Sequence, residues 1–241
     1  MQDDTPILSQ DLAYEAAETA CHGYLAMPGG AGPVPGVLVA HAFGGIGDFE
    51  RRQADRLARQ GYAALALDYY GNGWQAGSRE EAAERMAELN ADRPLLLQRM
   101  QAALKALARL REVDETRLGA MGFCFGGKAV LDLARSGAAF QAGASLHGVY
   151  DAPPSGSQDM QAALLVLHGW DDPLAPPQAV TALAEELTLH CPDWQILGFG
   201  HTGHAFTNPA VSAAAPGFGY SETAAPRAFA ALDRFLAEKL A

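Results

Sequence analysis

The chain has 241 residues, of which 49% are hydrophobic and 19% charged, enough apolar material for the core of one α/β domain of ordinary size. Its formal charge of -11 disfavours non-specific attraction to nucleic acid or to an anionic membrane surface, so a small molecule is the expected partner. Three cysteines, Cys21, Cys124 and Cys191, lack C-x-x-C spacing; they suggest neither a disulfide framework nor a cysteine-rich zinc site, and they fit a reducing, cytoplasmic setting.

The N-terminal stretch "MQDDTPILSQ" is acidic where a secretory signal needs positive charge, and no apolar run approaches the length that spans a bilayer. From there short apolar runs alternate with helical stretches. "GVLVAH" (36–41) reads as a buried strand, followed by a helix over 48–60 and a strand in "YAALALDYYG" (62–71). A helical region over 79–112 breaks near Pro94, and "RLGAMGF" (117–123) is the next strand, with a helix over 125–136 behind it. "AGASLHG" (142–148), "ALLVLHG" (163–169) and "WQILGFG" (194–200) complete the strands. Helices are expected over 177–190 and 222–240, the last with Phe229, Leu232, Phe235 and Leu236 at core-facing intervals. This alternation predicts a single α/β domain over 1–241, with a mostly parallel central sheet and helices on both faces. The Pro/Gly/Ser-rich stretches at 28–36 and 151–159 are short enough to be loops within it.

The stretch "GAMGFCFGGKAV" (119–130) fits two motifs. Gly122, Gly127 and Lys128 match most of a phosphate-binding loop, whose lysine reaches the phosphates and whose following Ser or Thr hydroxyl ligates magnesium. Ala129 stands at that last position and offers no oxygen, while Phe123 and Phe125 crowd a loop that needs small residues. Gly122, Cys124 and Gly126 match a nucleophile elbow, which asks for a strand, a tight turn and then a helix, all present here. The helix start behind Cys124 favours a thiolate and a developing oxyanion. Against this, a free cysteine is often a small core residue.

A nucleophile at an elbow needs an acid and a histidine base later in the chain. "LLVLHGWDDP" places Asp171 and Asp172 just beyond one strand, and "LGFGHTGHAF" places His201 and His204 beyond the next. Asp172 is the expected acid and His204 the expected base. The same residues could be imagined as a metal site, but H-x-x-H on a glycine-containing loop lacks the helical spacing that aligns ligands, and no metal is expected. The G-x-G beginnings at 45–50 and 71–77 fall out of register for a dinucleotide fingerprint.

The set G-F-C-F-G-G at 122–127, H-G-x-D-D-P at 168–173 and G-H-A-F-x-N-P at 203–209 resembles the dienelactone hydrolase branch of the α/β-hydrolases over most of the chain. The resemblance implies that Cys124 is the nucleophile, His204 the base and Asp172 the acid. It further implies that an ester or lactone is opened through an acyl-thiol intermediate, without a metal or organic cofactor; a monomer or homodimer is expected. The sequence departs from the family's archetype at Ala42, which stands where a glutamate helps to ionise the thiol. His41 is then either an auxiliary group or a structural brace. The expected oxyanion donors are the backbone N–H groups of Phe125 and Phe43, and Tyr69, Tyr70, Trp74, Trp170 and Phe206 follow strands and are candidates to line a substrate pocket. The rival reading is a ligand-binding or thiol redox-sensing protein on the same fold.

Overall fold

The computed structural model describes residues 6–30, 32–211 and 215–241. The chain divides into two compact units, Met1–Ala120 and Met121–Ala241; β5 (Val113–Phe123) runs across the division.

The first unit opens with a hairpin that the sequence reading did not contain. Strands β1 (Ile7–Ala16) and β2 (Thr19–Pro28) pair antiparallel from Ala16 and Thr19 outward, around Ala17 and Glu18 with φ of 50° and 59°. Left-handed turn residues of this kind match the twist of the flanking strands. The Ala- and Glu-rich composition hides the hairpin, although Leu12, Tyr14 and Ala16 of β1 and Cys21, Gly23 and Leu25 of β2 turn inward at alternate positions. β2 pairs antiparallel with β4 (Ala63–Leu67), and β4 pairs parallel with β3 (Val34–Ala40).

Helices α1 (Asp48–Arg59), α2 (Arg79–Ala91) and α3 (Arg93–Ala108) complete this unit. The expected break near Pro94 is a capped junction. Ser78 Oγ accepts from Glu81 N at 3.1 Å to start α2, and Asp92 Oδ1 accepts from Leu95 N at 3.0 Å to start α3, with Pro94 in a first turn that needs no donor there.

Two buried side chains fix the loops that follow β3 and β4. Asp68 accepts from the backbone N–H groups of His22, Tyr70, Gly71 and Gly73 at 2.7 to 3.1 Å, and the Tyr14 hydroxyl bonds both its N–H and its carbonyl. His41 is fully buried, its ring stacked 3.7 Å from that of Tyr69, with Nδ1 2.5 Å from the Ala42 carbonyl oxygen.

In the second unit β6 (Ala142–Leu146), β7 (Ala163–Gly169) and β8 (Trp194–Phe199) are parallel neighbours, packed by α4 (Phe125–Arg135), α5 (Pro177–His190) and α6 (Ala224–Lys239). Among these, β8 departs from the doubly buried strand that the sequence suggests: it ends the β6-β7-β8 order, and its side chains are half-buried or exposed. The 151–159 loop is tied down by Arg135, which is buried, donates to Glu186 at 2.7 and 2.8 Å and to the carbonyls of Tyr150 and Asp151, and pairs with Asp132. With parallel pairs and an antiparallel N-terminal hairpin, the fold is a mixed, mostly parallel α/β arrangement.

Burial, opposed by the bond to Ala42 and the charge of Asp68, lowers the His41 pKa from 6.5 to about 4. As pH falls, the unfolded chain takes up this proton first, so stability present at neutral pH is lost between those two values, by up to about 3 kcal/mol for this one group. Urea unfolding from neutral pH down to pH 4 should therefore show a steeper loss in wild type than in His41→Phe, which keeps the ring and removes the titration. Equal slopes would remove His41 from the account.

Candidate active site

The second unit holds a sharp strand-to-helix turn. β5 ends at Phe123 and α4 begins at Phe125, and between them Cys124 has φ 54° and ψ -114°, a conformation that side chains rarely adopt and that costs on the order of 1–3 kcal/mol. Gly122 makes the turn possible, since a Cβ there would overlap the carbonyl oxygen of Gly126. Gly127 lets α4 approach β6, a Cβ there lying 2.7 Å from Ser145 Oγ and 3.0 Å from Gly148 Cα. Cys124 N donates to Leu146 O at 3.1 Å, and Cys124 O accepts from the N–H groups of Gly127 and Lys128. Cys124 is partly exposed, whereas Cys21 and Cys191 are buried. The lysine that resembled part of a phosphate loop is buried in an ion pair, Lys128 Nζ lying 2.7 Å from Asp151 Oδ1.

Beyond β7 and β8 two loops interlock. A Cβ on Gly169 would strike the carbonyl oxygens of Thr202 and Gly203, and Asp171 N donates to Thr202 O at 2.9 Å. The two acidic neighbours separate clearly: Asp171 is exposed, while Asp172 is buried, accepts from Leu174 N at 2.8 Å through Oδ1, and faces His204 Nδ1 at 2.7 Å through Oδ2. His201 is exposed on the same loop. The backbone of His204 is itself clamped, its N–H donating to Gly217 O at 2.6 Å and its carbonyl accepting from Gly219 N at 3.0 Å.

Burial disfavours charge on His204, but hydrogen bonding to Asp172 and the adjacent Cys124 thiol outweigh it and raise its pKa from 6.5 to about 10. The Nε2 atom is buried, and the Cys124 thiol is its neighbour. This arrangement can hold a proton on the imidazole beside the Cys124 sulfur.

Of the other residues singled out in the sequence, Phe125 is the buried first residue of α4, Phe206 is fully buried, and Trp170 is 48% exposed with its ring near that of His168. The remaining five belong to the first unit. The Tyr69 hydroxyl donates to the His41 carbonyl, and the Tyr70 hydroxyl to the Phe43 carbonyl at 3.0 Å; Trp74 packs edge-on against Tyr70. In the loop after β3, where Ala42 itself provides no carboxylate, the structure supplies one from α1. Glu50 is buried, accepts from Gly47 N at 2.9 Å and from Ala42 N at 3.5 Å, and burial raises its pKa despite those bonds. Sequence reasoning also passed over His147, which ends the "AGASLHG" run and packs edge-to-face against His204, although its position at a strand end was the available signal.

The dienelactone hydrolase family model matches residues 21–240. This chain belongs to the dienelactone hydrolase family. Among curated relatives of this dienelactone hydrolase family member, a putative carboxymethylenebutenolidase of Methylorubrum extorquens is 27% identical over 194 residues, covering 76% of this chain and 67% of the relative. A probable 2-oxo-3-(5-oxofuran-2-ylidene)propanoate lactonase of Bradyrhizobium is 25% identical over 193 residues, covering 76% and 77%. Among solved structures, a dienelactone hydrolase-like promiscuous phosphotriesterase from metagenomic libraries superposes with a TM-score of 0.92 at 34% identity, covering 98% of this chain and 99% of that one. Among the described residues no helix is long and apolar enough to cross a membrane.

The packing at the turn makes one substitution decisive. Gly122→Ala forces a Cβ into the Gly126 carbonyl and should lower stability by about 2 kcal/mol or more, whereas Gly44→Ala, where no atom lies within 4 Å of the new Cβ, should be close to neutral. Chemical denaturation of the two variants checks this, and a Gly122→Ala protein as stable as wild type would contradict the geometry.

Proposed function

We propose that this dienelactone hydrolase family member cleaves a small ester, lactone or thioester by way of an acyl-thiol on Cys124. That it is a carboxylic-ester or lactone hydrolase follows from its family. The finer reading rests chiefly on one observation: the buried 2.7 Å pair of His204 and Asp172 beside a cysteine held in a strained strand-to-helix turn.

In this reading Cys124, as the thiolate, attacks the carbonyl carbon and forms a C–S bond. The charge that develops on the carbonyl oxygen is met at the start of α4, where the Phe125 amide is the donor. Phe43, in the other unit, remains the second donor expected from the sequence. The intermediate collapses by breaking the C–O bond, and the leaving oxygen takes the proton carried by His204. Neutral His204 then deprotonates a water that attacks the acyl-thiol, releasing the acid and the thiolate. Asp172 fixes the Nδ1–H tautomer and stabilises the imidazolium.

Thiolate is itself a good leaving group, so the tetrahedral intermediate partitions backward unless the departing oxygen is also stabilised. Enol lactones, which leave as enolates, are therefore the favoured substrates over simple alkyl esters, in keeping with the lactones named for the curated relatives. A phosphotriester belongs in the same panel because the 34% identical neighbour is described as a promiscuous phosphotriesterase. A small-molecule substrate and a cytoplasmic setting are part of the proposal.

Hydrolysis of an activated aryl acetate by wild type, Cys124→Ala and Cys124→Ser, with intact-mass trapping, tests it. Wild type is expected to turn over and to carry the acyl group on Cys124, Cys124→Ala to fall by about a thousandfold or more, and enol esters to outpace ethyl esters. Three folded proteins of equal inactivity would instead favour the ligand-binding or redox-sensing alternative.

A further inference from the structure

We propose that His147 is a positioning residue for His204 and that Thr207 holds it in that role. The inference rests on His204 being the base of the reaction proposed above.

His147 directly follows β6 and is 2% exposed. Its backbone adopts φ 39°, unusual for a side-chain-bearing residue, and its N–H donates to Leu167 O at 2.8 Å, while the preceding Leu146 carbonyl accepts from Cys124 N. The residue is thus fixed between the nucleophile turn on one side and β7 on the other. Its ring meets the His204 ring edge-to-face, centroids 5.3 Å apart at 70°, and meets Phe206 at 5.4 Å and 74°. Nε2 lies 2.8 Å from Thr207 Oγ1, and Nδ1 is buried without a hydrogen bond.

That last atom argues against simple packing. A phenyl ring would fill the same space without burying a polar ring nitrogen that lacks a hydrogen bond of normal geometry. The arrangement has a use, however, because Thr207 is on the same loop as His204. Asp172 grips the loop at His204, and His147 grips it at Thr207 while bearing on the imidazole between them. Phe218, centroid 5.7 Å away, supplies a further contact to the His204 ring. The imidazole is thereby kept from swinging out of line with Asp172 and Cys124.

Charge is consistent with this role. Burial first, and the neighbouring His204 second, hold the His147 pKa well below its usual value, so it stays neutral when His204 carries a proton. The titratable groups around the pair are Asp172 and Cys124, both of which act on His204, and His168, which feels Asp172 and His204. A neutral ring edge-to-face with an imidazolium adds no repulsion.

The test follows the His204 ring resonances by NMR as pH is raised through 10, in wild type, Thr207→Val, Thr207→Ser, His147→Phe and the Thr207→Val/His147→Phe double variant, with His204→Gln for assignment. Thr207→Val, nearly isosteric, is expected to lower the His204 midpoint by about half to one pH unit, a three- to tenfold loss of proton affinity. Thr207→Ser should retain the wild-type value, and the double variant should fall no further than either single one. On an activated ester, Thr207→Val should lose about tenfold in kcat with KM unchanged. An unshifted midpoint in Thr207→Val with only a lower Tm would overturn the proposal, as would additive shifts in the double variant. The titration needs no substrate, so it decides the role of His147 even if the wild type hydrolyses no ester and the hydrolase mechanism fails.

Discussion

Everything in the candidate site depends on the backbone of one residue. Cys124 sits at φ 54° because the chain must reverse from β5 into α4 within a single residue. That reversal is possible only if nothing projects from Gly122 into the Gly126 carbonyl. The strain on Cys124 is offset by ordinary interactions around it: the bond from its N–H to Leu146, the first-turn bonds of α4 to its carbonyl, and the close approach of Gly127 to Ser145 and Gly148. One local constraint thus joins β5, α4 and the end of β6, and leaves a sulfur at the mouth of a helix N-terminus, where a negative charge is favoured.

The partner of that sulfur is built from non-local contacts. His204 is held through its backbone by Gly217 and Gly219, through Nδ1 by Asp172, and through its ring by His147 and Phe218. Glycines again make the approach possible: a Cβ on Gly203 would strike the Gly217 carbonyl, and one on Gly217 would meet the backbone of Asp171. Asp172 and the Cys124 thiol together raise the proton affinity of the imidazole more than burial lowers it, while His147, buried without a carboxylate in hydrogen-bonding reach, moves the opposite way. Two histidines in one cluster are thus driven apart in charge by a carboxylate and a thiol placed against only one of them.

The first unit uses buried charge for a different end. Asp68 gathers four backbone N–H groups around the loop after β4, and Glu50 reaches from α1 to the loop after β3. Such loops are too short to satisfy their own amides, and an unpaired buried amide is costly, so a carboxylate that accepts several of them is a stable solution. Glu50 also changes the meaning of Ala42: the chain lacks a carboxylate at that position in sequence but bonds one to that residue's own N–H.

The sequence by itself determined the features whose causes are local. A glycine, a cysteine and a glycine between an apolar run and a helix specify a strained turn, because sterics at adjacent residues decide it. The capped starts of α2 and α3 at Ser78 and Asp92 are likewise short-range chemistry. Tertiary structure alone decided what depends on residues far apart in the chain. It buried Asp172, the acid expected from the sequence, against His204 across 32 positions and left the adjacent Asp171 exposed. It seated the N-terminal hairpin, whose composition resembles a helix, by pairing β2 with β4 as well as with β1. It brought His147 to His204 and Thr207, 60 residues on, and left β8 half-exposed at the end of its strand order. Local sterics can be read from neighbours in sequence; burial and long-range hydrogen bonds exist only once the strands have been laid side by side.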